Sequence, residues 1–252
     1  MIQNRVIPVL LMSDGKLYKT KKYSNPRYIG DPINVIRIFN EKEVDELIIL
    51  DISASRLKVE PDYERIKELA SECFMPLCYG GGISNLDQAK RVFSLGIEKI
   101  SIQTQALSNL DLITEVANIF GSQSIVLSVD LKKNLFGTSK LYGSSQSKVI
   151  NKNILQFISE AVNAGAGEIL LSSVDNEGLM KGMNLELISQ ISSAIPVPLI
   201  ANCGVGSLEH IKEAINSGAS AVAAGSFFVY HGPHNAVLIT YPSSADLKKI
   251  LQ

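Results

Sequence analysis

Short apolar runs without polar alternation recur along the chain, and most are followed by a stretch whose apolar positions fall three or four residues apart. The runs predict strands at Val6–Leu11, Glu46–Asp51, Pro76–Tyr79, Lys99–Ile102, Ser124–Asp130, Glu168–Ser172, Val197–Ala201 and Ala221–Ala224. Uninterrupted Ile, Leu and Val is the pattern of parallel strands covered on both faces. The helical spacing predicts amphipathic segments such as Leu86–Leu95, Asn109–Ile119, Ile154–Ala164 and Leu208–Ser217. Eight such strand–helix units within 252 residues favour a closed (β/α)8 barrel, a TIM barrel of the α/β class, over an open sheet. Residues 1–252 are expected to form this one domain.

The pattern also repeats. Pro76–Gly96 (PLCYGGGISNLDQAKRVFSLG) matches Pro198–Gly218 (PLIANCGVGSLEHIKEAINSG) at an offset of 122, and Asp45–Ser55 matches Gly167–Glu177 at the same offset. A shared register over separate units points to a duplicated half-barrel, with halves at about 1–122 and 123–240 and an atypical C-terminal tail.

Composition narrows the partners. The chain is 46% hydrophobic and 19% charged, with 24 basic and 25 acidic side chains and a net charge of −1. That balance gives no electrostatic reason to expect nucleic acid or an anionic membrane. The apolar N-terminal run stops at Ser13-Asp14, too short for a membrane span and without a signal cleavage region. Cys73, Cys78 and Cys203 show no metal spacing, and Cys78 and Cys203 sit in apolar strand-like runs, so both are expected as buried thiols. A cytoplasmic location, no cofactor and no metal follow as expectations. His231 and His234 read as loop residues, with no carboxylate at ligand spacing.

In each half a strand ends in glycines before a helix: Gly80-Gly81-Gly82-Ile83-Ser84 and Cys203-Gly204-Val205-Gly206-Ser207. Glycines let backbone amides approach an anion, and Ser84 or Ser207 is suited to cap the next helix. The following units end in Ile102-Gln103-Thr104 and Ala224-Gly225-Ser226, again 122 apart. Gly81, Gly82, Thr104, Gly204, Gly225 and Ser226 are therefore candidate phosphate-binding residues at the C-terminal mouth, suited to a ligand with a phosphate at each end. Tight barrel turns are the plainer explanation of the glycines.

VIPVLLMSDGKLYK, PLCYGGGIS, EKISIQT, FGSQSIVLSVDLK and GSLEHIKEAINSGASAVAAGS, among other segments, resemble the cyclase subunit of imidazole glycerol phosphate synthase over nearly the full chain. The resemblance implies a lyase-type cyclase barrel that receives ammonia from a glutaminase subunit docked at its N-terminal face. It also implies a bis-phosphorylated substrate at the opposite face. Of the two aspartates that cyclisation uses in that family, one matches Asp130, but the other falls at Leu11. Leucine moves no proton, so the acid–base pair is broken. Lys19, Asp51, Thr104 and Ser172 match the family pattern, with Lys19 carried over beside Asp130 as catalytic. Gln103 stands where Asn is usual, and Leu179-Met180 follow Glu177-Gly178 where the family has Thr-Lys. Asp51, Gln103, Ser172 and Glu177 would line the substrate mouth.

At the other end the resemblance implies an ammonia gate, matched by Arg5, Glu46, Lys99 and Glu168. Glu98, beside Lys99, falls where the family faces its glutaminase. A salt-bridged plug explains the same four charges without ammonia. The tail segment AVLITYP (236–242) reads as an extra extended piece. With Leu11, it resembles a paralogous branch that works with a glutaminase-like subunit and a sugar amidotransferase on acetamidino sugars of surface polysaccharide. The leading expectation is thus an ammonia-channelling subunit serving that amidotransferase, with its own enzymatic activity in doubt. An active cyclase of histidine biosynthesis, or a non-catalytic scaffold activating a glutaminase, are the alternatives.

Overall fold

A computed structural model describes residues 4–251. Eight parallel strands close on themselves: β1 (Arg5–Ser13), β2 (Leu47–Asp51), β3 (Leu77–Gly80), β4 (Lys99–Ile102), β5 (Ile125–Lys133), β6 (Glu168–Ser173), β7 (Leu199–Asn202) and β8 (Ala221–Ala224). Each pairs with the next, and β8 returns to β1 with Arg5 opposite Ala221. The chain therefore forms the expected (β/α)8 barrel, with helices between the strands. Most strand limits shift by one to three residues from those the sequence predicts, and β7 starts at Leu199 rather than Val197.

Alternation along the strands sorts their side chains into two sets. Val6, Leu10 and Met12 of β1 face outward into the cluster shared with the helices, while Ile7 and Val9 face the barrel axis with Ile48, Cys78, Val126, Leu170, Ile200, Ala221 and Ala223. Leu11 and Leu50 pack at the upper edge of that axial core. The interior is thus a filled apolar column, as barrels of this size require. Arg5, Glu46, Lys99 and Glu168 belong to the same inward series at the lower end. Leu11, Asp130 and Ser172 belong to it at the upper end.

Loops at the C-terminal end carry more structure than the apolar pattern foretells. Asp14 and Gly15, at φ 49° and 66°, turn β1 into a strand at Lys16–Lys21, which pairs with Ser24–Gly30. Two adjacent positive-φ residues are the signature of a tight hairpin turn. β5 runs on past Asp130 to Lys133 and pairs with Ser139–Gly143, which pairs in turn with Lys148–Ile150.

Three local expectations are corrected. Ser84 does not cap the helix Leu86–Ser94; the Asn85 side chain does, accepting from Gln88 N, while Ser84 donates to Gln88 Oε1. Ser207 does cap its helix. Cys203 lies in the turn after β7 at φ 76°, partly exposed, whereas Cys78 is fully buried as expected. In the tail only Ala236–Val237 is strand, paired with Tyr230–His231, before the helix Ser244–Leu251. The remainder has no regular structure and is held by isolated bonds, Leu238 N to Val229 O, Thr240 N to Phe228 O and Tyr241 Oη to Val6 O. No helix among the described residues is long and apolar enough to cross a membrane.

Candidate active site and the opposite pole

A cavity of about 470 Å³ opens at the C-terminal end of the barrel. Every residue assigned above to the phosphate sites and substrate mouth lines it, together with Leu11, Lys19 and Asp130. Asp130 is almost fully buried in its wall. Burial lifts its carboxyl to about 6, against hydrogen bonding from Gln103, Tyr23, Ser144 and Ser172, which favours the charged form. A carboxyl titrating there is suited to exchange protons near neutral pH. Leu11, on the opposite wall, supplies no second titratable group.

Lys19 is buried and ion-paired with Glu177, itself 3% exposed. Glu177 Oε2 also accepts from Tyr23 N at 3.1 Å, and its carbonyl accepts from Lys22 N at 3.0 Å. The first hairpin is thereby clamped to the loop after β6. That clamp brings Tyr23 beside Asp130, and the Tyr23 phenol is pushed up by burial and then by the Asp130 charge. Gln103 Oε1 accepts from Ser144 N and Oγ at 3.2 and 2.5 Å, which turns its amide nitrogen towards Asp130. Asn202 Nδ2 donates to Ser172 Oγ at 3.0 Å. Asp51 is differently employed: its Oδ1 accepts from Ser53 N, Ser53 Oγ and Ala54 N, fixing the turn after β2.

The glycines have packing reasons of their own. A side chain at Gly82 would lie 2.9 Å from Val59 O, and one at Gly204 would collide with Gly182 O. Tight turning alone accounts for both residues, so phosphate chemistry rests on the groups around them. In the first half Gly82 N donates to Ser55 Oγ at 3.1 Å, and Thr104 Oγ1 donates to Ser145 Oγ at 3.1 Å. In the second half the Thr104 counterpart, Ser226, is 5% exposed and its Oγ has no hydrogen-bond partner.

Sequence reasoning missed Tyr23, Ser55, Ser144 and Ser145. All four come from loops or their short helical turns, where no periodicity marks which side chains turn inward. Among the described residues no cluster of three metal-ligating side chains occurs.

At the N-terminal pole the four charged residues meet. Glu46 pairs with Arg5 and, at 3.0 Å, with Lys99; Glu168 pairs with Arg5 at 2.7 Å and with Lys99 at 2.9 Å. Two cations and two carboxylates thus close a neutral ring across the barrel floor. Burial alone would lower both cations, but Glu168 and Glu46 outweigh it and hold Arg5 and Lys99 above their usual values. The carboxylates are 3% and 8% exposed, so their desolvation is offset only while the ring stays complete. Glu98, beside the ring, is exposed.

Residues 5–235 match the model of a family described as "Histidine biosynthesis protein". A Pseudomonas aeruginosa protein named "Putative imidazole glycerol phosphate synthase subunit hisF2" is 51% identical over 251 residues, covering 99% of both chains. A Leptospira borgpetersenii protein named "Putative imidazole glycerol phosphate synthase subunit HisF" is 47% identical, covering 98% of both. An Exiguobacterium sibiricum protein named "Imidazole glycerol phosphate synthase subunit HisF" is 36% identical, covering 99% of this chain and 97% of its own.

Proposed function

The chain belongs to the histidine biosynthesis protein family, as a barrel like the imidazole glycerol phosphate synthase subunit HisF, and we propose that it conducts ammonia rather than cyclising a substrate. In this reading it is the cytoplasmic barrel subunit of a glutamine-dependent complex. A glutaminase docks on the N-terminal face around Glu98, and ammonia enters through the ring of Arg5, Glu46, Lys99 and Glu168. A sugar amidotransferase of surface polysaccharide synthesis takes it up beyond the C-terminal mouth.

The observation that carries the proposal is the contrast between the poles. The ring at the floor is complete. Leu11, which faces the cavity from β1 on the wall opposite Asp130, is not an acid. Between them lies an apolar column. Such a column admits neutral ammonia far more readily than ammonium, because an unpaired charge is costly there. At the mouth Asp130 has no acid opposite it on β1, while Asp51 is spent on the turn after β2 and Glu177 is ion-paired with Lys19, so nitrogen transfer falls to a separate acceptor enzyme.

Narrowing the column tests the conduit. Ala221 and Ala223 are fully buried on the axis. In a reconstituted complex, Ala223→Leu should abolish glutamine-dependent amidation while glutamine hydrolysis and ammonium-dependent amidation persist. Undiminished glutamine-dependent amidation in a folded variant would reduce the barrel to a scaffold that activates its glutaminase.

One observation favours a second reading, that of an active cyclase of histidine biosynthesis. Asp130 titrates near 6, where a general acid or base works best. That reading requires another group to do the work missing at Leu11.

A further inference from the structure

A net charge of −1 conceals a strong polarity between the two ends of the barrel. Segments 16–30 and 132–152 hold five basic residues each and no aspartate or glutamate. Both belong to insertions at the C-terminal mouth. The first is the hairpin that continues β1, and the second prolongs β5 through Ser139–Gly143 and Lys148–Ile150. β1 and β5 are opposite walls of the barrel, so two basic arms stand on either side of the opening. Among the described residues Lys19 is the one cation of the two arms in an ion pair, and Lys21, Lys22, Lys133 and Lys148 are exposed. In the second arm Lys132 lies directly opposite Lys140, a placement of like charges that costs a sheet stability. At the tip of that arm stand Leu135 and Phe136, 102% and 92% exposed, the most exposed large apolar side chains of the described residues. The tip is held in shape: Asn134 Oδ1 accepts from Phe136 N at 3.0 Å and from Thr138 N at 2.9 Å.

Like charges set opposite each other and an apolar pair fixed in water do nothing for folding, and together they mark a surface that meets a partner. The charge calls for an anionic partner, and one that engages both arms must sit across the mouth. The chemistry of the exit chooses among anionic partners. Ammonia that leaves the apolar column into water near neutral pH becomes ammonium and is lost to transfer, so the exit must open directly into an acceptor site closed to water. A bilayer or a nucleic acid supplies negative charge but no such site. We infer that the two arms are the docking surface for the acceptor enzyme, whose matching face is acidic and carries an apolar pocket for Leu135 and Phe136. The inference rests on the reading of the barrel as an ammonia conduit and adds to it the surface and the chemistry of the downstream partner. The ring of Arg5, Glu46, Lys99 and Glu168 lies at the other pole, so the glutaminase and the acceptor enzyme do not compete for one face.

The test is binding of the purified sugar amidotransferase to the complex of this chain with its glutaminase, read by biolayer interferometry at low and at high salt. Vesicles of phosphatidylglycerol and phosphatidylethanolamine serve as a second probe. Glutamine is left out, so ammonia flow does not enter the readout. The parent should bind the amidotransferase, more tightly at low salt, and should not bind the vesicles. Leu135→Ser combined with Phe136→Ser should weaken binding at least about thirtyfold, as loss of an interface anchor does. The Tm and the glutaminase affinity of that variant should match the parent's, because both side chains are fully exposed and far from the other pole. Lys21→Glu combined with Lys148→Glu, one reversal on each arm, should weaken binding about tenfold at low salt and less at high salt. Undiminished binding by either variant would overturn the docking surface. Binding to vesicles and not to the amidotransferase would make the arms a membrane anchor and overturn the proposal, and so would binding to neither. Failure of the conduit reading looks different: glutamine-dependent amidation would survive Ala223→Leu while the arm variants still lost the amidotransferase.

Discussion

Leu11 and Asp130 face one cavity from opposite walls of the barrel, Leu11 near the end of β1 and Asp130 on β5. The substitution Leu11→Asp would place a carboxylate on the first wall at the upper edge of the apolar column. If Leu11 is the main defect, cyclase turnover should rise from nothing to a measurable rate. No gain, in a folded variant, would assign part of the loss to Gln103, Leu179 and Met180.

Asp130 gives the protein a pH dependence whose sign is fixed. Its folded pKa is raised to about 6 from an ordinary 3.8, so the folded state holds its proton more tightly than the unfolded state. The favourable contribution is complete below about pH 4 and is lost as pH rises through 6. Asp130→Asn should therefore be more stable than the parent at pH 8, by up to about 3 kcal/mol, with the difference shrinking towards pH 4. Denaturation curves at the two pH values check this. Equal differences at both would mean that Asp130 is ordinary in the folded chain.

The ring at the floor should behave as a unit. Glu46→Gln leaves Arg5 and Lys99 sharing Glu168 alone, a broken buried pair that costs on the order of 3 kcal/mol and lowers Tm by roughly 10 °C. A shift of under about 2 °C would show that solvent screens the ring.

Glu177 should govern the first hairpin and little else. With Glu177→Gln, Lys19 loses its counter-ion, and the acceptor for Tyr23 N is weakened. Hydrogen exchange over residues 16–30 should accelerate while the β-barrel amides stay protected. Acceleration throughout the barrel would instead make Glu177 a global stabiliser.

The barrel was legible because eight uninterrupted apolar runs can be buried together only in a few ways. The ring was legible as well: Arg5, Lys99 and Glu168 begin their strands and Glu46 immediately precedes β2, and strand parity sends them to the axis. The mouth was legible only where strands end in it. Tyr23 reaches Asp130 through a hairpin whose second strand, Ser24–Gly30, is mostly exposed and carries no apolar alternation. Ser55 and Ser145 act through loops whose path no spacing records. Cys203 follows the apolar run of β7 closely enough to read as a buried strand residue, but β7 ends at Asn202 and the backbone has already turned to positive φ. The tail resisted for a related reason, since it is held by single backbone bonds to Val229 and Phe228 and by Tyr241, not by a ladder.

The most direct measurement is turnover by the purified chain of the bis-phosphorylated aminoimidazole substrate under saturating ammonium. Ammonia supplied in bulk bypasses the glutaminase and the column, so the assay reports on the mouth alone. No cyclisation by the folded protein is the predicted result, consistent with a barrel that keeps its conduit and lacks the second acid. Turnover near that of an ordinary cyclase would contradict the account and make this a histidine-pathway enzyme with another group in place of Leu11.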